Sequence, residues 1–102
     1  MPATSEMVRQ WWIREALLAE GGSAKRETVL DWIERHHGHK FTPEDLKSVP
    51  STGEPTWRNR ASWARQHAVD SGFLRQNSPS GLWELTEAGR ENMRPLELED
   101  LL

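Results

Sequence analysis

The sequence contains no cysteine, and apolar residues make up only 35% of it. Without cysteine the chain forms no disulfide bond and offers no thiolate ligand to a metal, which agrees with an intracellular protein. The N-terminal segment MPATSEMVRQWW has no apolar run long enough for a signal peptide or a membrane span. We therefore expect a soluble, cytoplasmic protein with no membrane partner.

Tryptophan, by contrast, is abundant, with six in 102 residues. This length suits one domain with a modest core, and a few large aromatic side chains fill such a core in place of many aliphatic ones. We expect a single domain over residues 1–102. Its core should cover residues 5–93, with an acidic tail or linker at residues 94–102.

Capping residues, glycine stops and short apolar runs predict the secondary structure. The predicted helices cover residues 5–20, 24–37 and 56–71, with a short helix after Thr42-Pro43 and a last one after Thr86. The predicted strands cover residues 73–75 and 82–85 and flank a polar loop at residues 76–81. This order predicts a winged helix-turn-helix fold, mainly α with a small β-hairpin (α+β), in which the loop is the wing.

The third full helix has two distinct faces. At about 100° per residue, the apolar side chains fall in one arc, namely Trp57, Ala61, Ala64 and Ala68. The polar side chains form a second arc, namely Arg58, Asn59, Ser62, Arg65 and Gln66. Such groups bind phosphates and base edges, so we predict a DNA-recognition helix in the major groove. An ordinary solvated face is the alternative.

Two further residues of this helix have open roles. Thr56 lies at the N-terminus, where it caps the helix, binds a phosphate, or does both. Arg60 lies near the edge of the apolar arc, where a structural ion pair and a phosphate contact are about equally expected.

Charge is distributed unevenly. The net charge is −3, but residues 56–83 contain four arginines and one aspartate, a balance of +3. A small basic region on an acidic chain predicts few phosphate contacts. DNA affinity should therefore be modest and sensitive to salt unless a second module contributes.

The wing and the tryptophans supply further candidate contacts. Arg75, Asn77, Ser78 and Ser80 are expected at phosphates or the minor groove, although a plain polar loop would contain the same residues. Trp57, Trp63 and Trp83 are expected mainly in the core. If partly exposed, Trp57 or Trp63 is a candidate contact for a base methyl group, such as that of thymine, 5-methylcytosine or N6-methyladenine.

Nothing in the sequence predicts catalysis, a cofactor or a metal site. His36, His37 and His39 cluster, but adjacent helical histidines point in different directions and no cysteine assists them. Asp45-Leu46-Lys47 mimics part of a restriction-nuclease site, yet it falls in a short capped helix with no acidic partner placed for a metal. We expect the domain alone to be non-enzymatic.

Several spaced motifs together are similar to a known family. These are Trp63-Ala64-Arg65, Gly72-Phe73-Leu74, Ser78-Pro-Ser-Gly-Leu-Trp83 and Leu85-Thr-Glu-Ala-Gly89. Over roughly residues 10–92 the chain resembles the N-terminal domain of Mrr-type, modification-dependent restriction proteins. The resemblance implies a winged-helix domain that binds double-stranded DNA, methylated DNA included, in a bacterial cell at the nucleoid. It also implies fusion to a nuclease domain, so this chain is either part of such a protein or a module that acts alone.

Two other functions remain open. One is a free-standing transcriptional regulator. The other is a winged helix used for protein–protein contact, which the net negative charge, the broadly apolar first helix and the acidic LELEDLL tail favour. Whether two copies pair as a homodimer also remains open.

Overall fold

The structure, a computed structural model, describes residues 3–76, 78–79 and 81–92. The helices are α1 (Glu6–Ala19), α2 (Arg26–His37), α3 (Pro43–Leu46), α4 (Thr56–Asp70) and α5 (Glu87–Asn92), with a 3₁₀ turn at Gly38–Lys40. The strands are β1 (Ser23–Lys25) and β2 (Leu82–Glu84). The predicted class, mainly helical with a small antiparallel sheet, is confirmed.

The small sheet differs from the prediction in one of its strands. β1 pairs with β2 in antiparallel register, with Ala24 opposite Trp83. Residues 23–25 are therefore a strand and not the cap and first turn of α2. The predicted strand at residues 73–75 is reduced to one bridge between Leu74 and Leu85. A strand of three residues is too short to show the alternation that identifies strands in a sequence.

Helices α1, α2 and α4 enclose the core together with the sheet. The side chains that α4 contributes include the whole predicted apolar arc, Trp57, Ala61, Ala64 and Ala68. Alanines let α4 approach α1 closely, because their side chains take up little space between two helix axes. Gly72 ends α4 with a φ of +82°, a left-handed conformation that glycine adopts at low cost.

A buried carboxylate connects the start of α1 to the segment before α4. Asp45 is fully buried and accepts hydrogen bonds from the Thr4 backbone N–H (2.8 Å), the Thr4 hydroxyl (2.7 Å) and the Thr42 backbone N–H (2.8 Å). Burial alone would raise the pKa of Asp45, but the hydrogen bonds from Thr42 and Thr4 outweigh it and lower the pKa below its usual value. Asp45 is thus a structural acceptor.

α5 packs against the chain just beyond α4. The Thr86 hydroxyl donates to the Gly72 carbonyl (2.7 Å) and accepts from the Gly89 N–H (3.0 Å). A Cβ atom at Gly89 would overlap the carbonyl oxygen of Phe73. Only glycine allows this approach, so the Thr-Glu-Ala-Gly motif has a packing function.

Candidate nucleic-acid interface

The start of α4 is fixed by the Lys47 carbonyl. The Thr56 backbone N–H (2.7 Å) and hydroxyl (2.8 Å) both donate to it. Pro55 occupies the N-cap position and provides no side-chain hydrogen bond. Thr56 therefore anchors the helix start to the preceding turn. Because both of its donors are used within the chain, a phosphate at this helix end would have to bind another backbone N–H, such as that of Trp57.

Arg58, a predicted base or phosphate contact, is bound to α2. Its guanidinium lies 2.9 Å from Glu27, 2.9 Å from Asp31 and 3.8 Å from Glu34, and its side chain is 17% exposed. Burial alone would lower the pKa of Arg58, but hydrogen bonds to Asp31 and Glu27 raise it above the usual value. Arg58 would have to leave three carboxylates to reach DNA.

Ser62 is likewise engaged by a residue of α2. The Arg26 guanidinium donates to its hydroxyl (Nε to Oγ, 3.0 Å) and also binds both carboxylate oxygens of Glu54 (3.1 and 3.2 Å). Arg26 thus joins α2, the turn before α4 and the middle of α4. Ser62 keeps its proton as a donor, but its oxygen is already used within the protein.

Arg65 lies between α4 and the sheet. Its guanidinium carbon is 6.0 Å from the centre of the Trp83 ring, at the outer limit of a cation–π contact. Its Nε is buried and has no hydrogen-bond partner among the described residues. Because no carboxylate of the described chain pairs with it, its charge is available to a phosphate or base that approaches beside the wing.

The face of α4 that is exposed to solvent is centred on Trp63. This indole is 61% exposed, and Asn59, Arg60 and Gln66 lie next to it at helical spacing. Arg60 forms no ion pair with a carboxylate of the described residues, whereas Gln66 donates to Asp70 (3.2 Å). The exposed face is therefore rotated away from the predicted polar arc, towards Arg60 and Trp63.

Trp57 does not belong to this surface. It is 2% exposed and packs against Phe41 with ring centres 4.6 Å apart. The expectation that Trp57 contacts a base methyl is therefore wrong, because a residue inside the core cannot enter a groove. Trp83 is also in the core, which leaves Trp63 as the candidate.

The wing is described only in part. Arg75 is exposed and pairs with Glu84 across the bridge (3.3 Å). Ser78 is half-buried, and its hydroxyl has no hydrogen-bond partner in the described chain. Asn77 and Ser80 lie outside the described residues. The DNA contacts predicted for the wing stay predictions.

The acidic face of α2 is a part of this site that was not predicted from the sequence. Glu27, Asp31 and Glu34 follow one another at helical spacing, so a signal was present in the sequence. Their side chains are all more than half exposed. They neutralise the nearest arginine of α4 and present negative charge beside the candidate interface.

Two of the clustered histidines, His36 and His37, pack against tryptophan rings. His37 stacks on Trp12 (ring centres 4.8 Å apart) and His36 stacks on Trp32 (3.9 Å). Within the described residues, no three side chains of the types that bind metals converge on one point. In the same part of the chain, no helix has the length and apolar character needed to cross a bilayer.

A helical core, a small antiparallel sheet and a loop between α4 and β2 together define a winged-helix-like domain. The family model of the Mrr N-terminal domain matches residues 15–94. The chain therefore belongs to the Mrr N-terminal domain family, which is associated with restriction proteins, and the resemblance in its motifs is confirmed. No curated protein and no solved structure matches the chain.

Proposed function

We propose that this domain binds duplex DNA and directs a restriction nuclease to its target. The exposed face of α4 enters the major groove and the wing contacts the adjacent backbone. One observation carries the proposal: α4 is anchored in the core on one side and presents an indole, two amides and an arginine to solvent on the other.

The side chains on this face suit the edges of bases. Amides such as Asn59 and Gln66 pair with adenine, and an apolar group such as Trp63 contacts the methyl of thymine. The methyl of 5-methylcytosine occupies the same ring position as that of thymine, so one aromatic contact serves both. Recognition of a modified base would then depend on Trp63.

The charge available to this face is small. Arg60 and Arg65 are the two arginines of α4 without a carboxylate partner among the described residues. Two phosphate contacts correspond to a slope of about −2 in a plot of log affinity against log salt. The domain alone should therefore bind weakly, and a fused module or a second copy would raise its affinity.

Fluorescence anisotropy with random duplex DNA over a range of salt concentrations tests the proposal. Arg60→Ala should reduce the salt slope by about 1. Arg35→Ala is the matched control, because it removes an exposed arginine from α2 and should leave the slope unchanged. If the wild type shows no salt-dependent binding, the proposal is wrong.

Selection from random duplexes tests the modified-base hypothesis separately. Methylated and unmethylated pools are selected in parallel, and the enriched sites are compared with wild-type protein and Trp63→Ala. We expect the methyl preference to be lost in the variant. Equal affinity for both forms of every enriched site would remove this hypothesis and leave DNA binding intact.

Protein–protein contact is the second candidate function. The acidic face of α2 favours it, because Glu27, Asp31 and Glu34 are exposed and two of them hold Arg58 at 2.9 Å. A domain of this kind would bind a basic protein, and it would show no salt-dependent binding of DNA in the anisotropy titration. A free-standing regulator is distinguished differently, by a full-length gene that encodes no nuclease domain.

A further inference from the structure

His67 continues the exposed face of α4 one turn beyond Trp63. At the helical repeat it lies about 40° from Trp63 and about 20° from Arg60 around the helix. Arg60 and His67 are seven residues apart, which separates them by about 10 Å along the helix axis. The His67 side chain is 50% exposed. Arg60 and His67 therefore border the exposed face on the same side.

A carboxylate of α1 fixes the orientation of the His67 ring. Oε1 of Glu6 lies 2.5 Å from Nδ1 of His67, and Glu6 also accepts a hydrogen bond from Gln10 (3.5 Å). An ionised carboxylate only accepts, so Nδ1 is the nitrogen that donates in this contact. Nε2 has no hydrogen-bond partner among the residues that the structure describes. It is the ring nitrogen left to bind a group outside the chain.

The border of an exposed helix face is where a helix in the major groove meets the DNA backbone. The groove is about 12 Å wide, close to the diameter of a helix with its side chains. Side chains at the centre of the face, such as Trp63, then point at base edges, and those at its border lie beside phosphates. Because Arg60 and His67 share one border, both face the same sugar–phosphate backbone.

A phosphate selects one protonation state of His67. In the neutral ring with its proton on Nδ1, Nε2 has only a lone pair, which a phosphate oxygen repels. In the protonated ring both nitrogens donate, Nδ1 to Glu6 and Nε2 to the phosphate. The proton also cancels the negative charge of the Glu6–His67 pair. Protonation therefore removes a repulsion at the same time as it adds a donor.

The other charged groups near His67 leave this balance in place. Glu6 is the residue of α1 that pairs with the ring. On α4 itself, Asp70 lies three residues further along and accepts a hydrogen bond from Gln66 (3.2 Å), and Arg60 lies two turns earlier. Carboxylates and guanidinium groups keep their charge between about pH 5 and 8, the range in which histidine changes its own.

Given the DNA binding proposed for α4, we propose that His67 binds a backbone phosphate through its Nε2–H, and that this contact takes up one proton from solvent. The contact adds a third charge to those of Arg60 and Arg65 when the ring is protonated. The salt slope then changes from about −2 to about −3 as the pH falls. DNA binding by this domain is therefore tighter in mild acid.

Anisotropy titrations with random duplex DNA at about pH 8 and about pH 5.5 test this contact. The salt slope of the wild type should steepen by about 1 at the lower pH, and its affinity at fixed salt should rise about fivefold. His67→Gln cannot take up the proton, so its slope should be the same at both pH values. His67→Lys is charged at both and should show the steeper slope at both. His39→Gln, at an exposed histidine outside α4, is the matched control and should behave like the wild type.

The possible results separate this contact from DNA binding as such. Circular dichroism at both pH values checks that each variant is folded. A wild-type salt slope that is equal at the two pH values would overturn the phosphate contact of His67 and leave DNA binding by α4 intact. A change of slope that persists in His67→Gln would assign the proton to another group and overturn the contact as well. Absence of salt-dependent binding at both pH values would contradict both proposals.

Discussion

Arg58 and Asp31 are 27 residues apart in the chain, and their side chains meet at 2.9 Å between Nη2 and Oδ1. With Glu27 at the same distance, this pair joins the polar side of α4 to the acidic face of α2. A guanidinium held by carboxylates has its charge compensated before any phosphate approaches. The pairing therefore sets how much of the arginine charge on α4 is available to DNA.

Removing this compensation should strengthen DNA binding. The double variant Glu27→Gln, Asp31→Asn removes the two carboxylates closest to Arg58, leaving Glu34 at 3.8 Å, and takes two negative charges from beside the candidate interface. We expect higher affinity and a salt slope steeper by about 1, measured by anisotropy. The loss of stability should stay within about 1 kcal/mol, because both carboxylates are largely exposed.

Glu44→Gln, which breaks the Glu44–Lys47 pair at α3, is the control and should change neither the DNA affinity nor the salt slope. Unchanged DNA affinity in the double variant would show that Arg58 is purely structural.

Replacement of the two tryptophans of α4 by alanine should affect different properties: stability at Trp57 and DNA binding at Trp63. Trp57→Ala removes a side chain that is 2% exposed and should cost about 3–5 kcal/mol of unfolding free energy. Trp63→Ala removes one that is 61% exposed and should cost less than about 1 kcal/mol, yet weaken specific DNA binding. Urea denaturation and anisotropy measure the two effects. Normal DNA affinity in Trp63→Ala would show that the recognition surface lies elsewhere on the domain.

The buried side of α4 was predictable from the sequence, and its exposed side only in part, at Asn59, Trp63 and Gln66. Helical periodicity is local, so the arc of Trp57, Ala61, Ala64 and Ala68 could be placed without knowing any neighbour. The partners of the polar arc depend on tertiary packing. Ser62 is bound by a residue 36 positions away, which no pattern within α4 could indicate.

The sheet shows the same division between local and distant signals. β2 was expected at nearly its observed position because Leu82-Trp83-Glu84-Leu85 is a short, mostly apolar run that follows a polar loop. β1 has three residues and forms only by pairing with β2, almost sixty residues later. Its sequence, Ser-Ala-Lys, has no strand propensity of its own. The family motifs, by contrast, correspond to packing that the structure explains, as at Gly89.

Gly89→Ala should destabilise the domain although it lies in a helix. Helix propensity alone favours alanine over glycine by about 1 kcal/mol. The added Cβ would overlap the Phe73 carbonyl oxygen and crowd Leu85, so we expect a net loss of about 1–3 kcal/mol in urea denaturation. Ala88→Gly, at the exposed neighbouring position, is the control and should follow propensity, with a loss of about 1 kcal/mol. Stabilisation by Gly89→Ala would contradict the close approach of α5.

Asp45 should make the stability of the fold dependent on acid pH. Its pKa is lower in the folded protein than in the unfolded chain, so the folded state favours the ionised carboxylate. The unfolded chain therefore binds the proton first as the pH falls. The contribution of Asp45 is complete above the unfolded carboxyl pKa of about 3.9 and decreases as the pH falls through the folded pKa.

Asp45→Asn isolates that contribution. The amide nitrogen would face the donors on Thr4 and Thr42 that the carboxylate now accepts from, so we expect a loss of about 1–3 kcal/mol near neutral pH. The difference in unfolding free energy between wild type and variant should shrink as the pH falls below about 4, because the wild-type carboxylate then becomes protonated. Asp70→Asn, at an exposed aspartate of α4, provides the matched control and should change the unfolding free energy little. A constant difference between wild type and Asp45→Asn across the acid range would mean that the carboxylate charge does not stabilise the connection between α1 and α3.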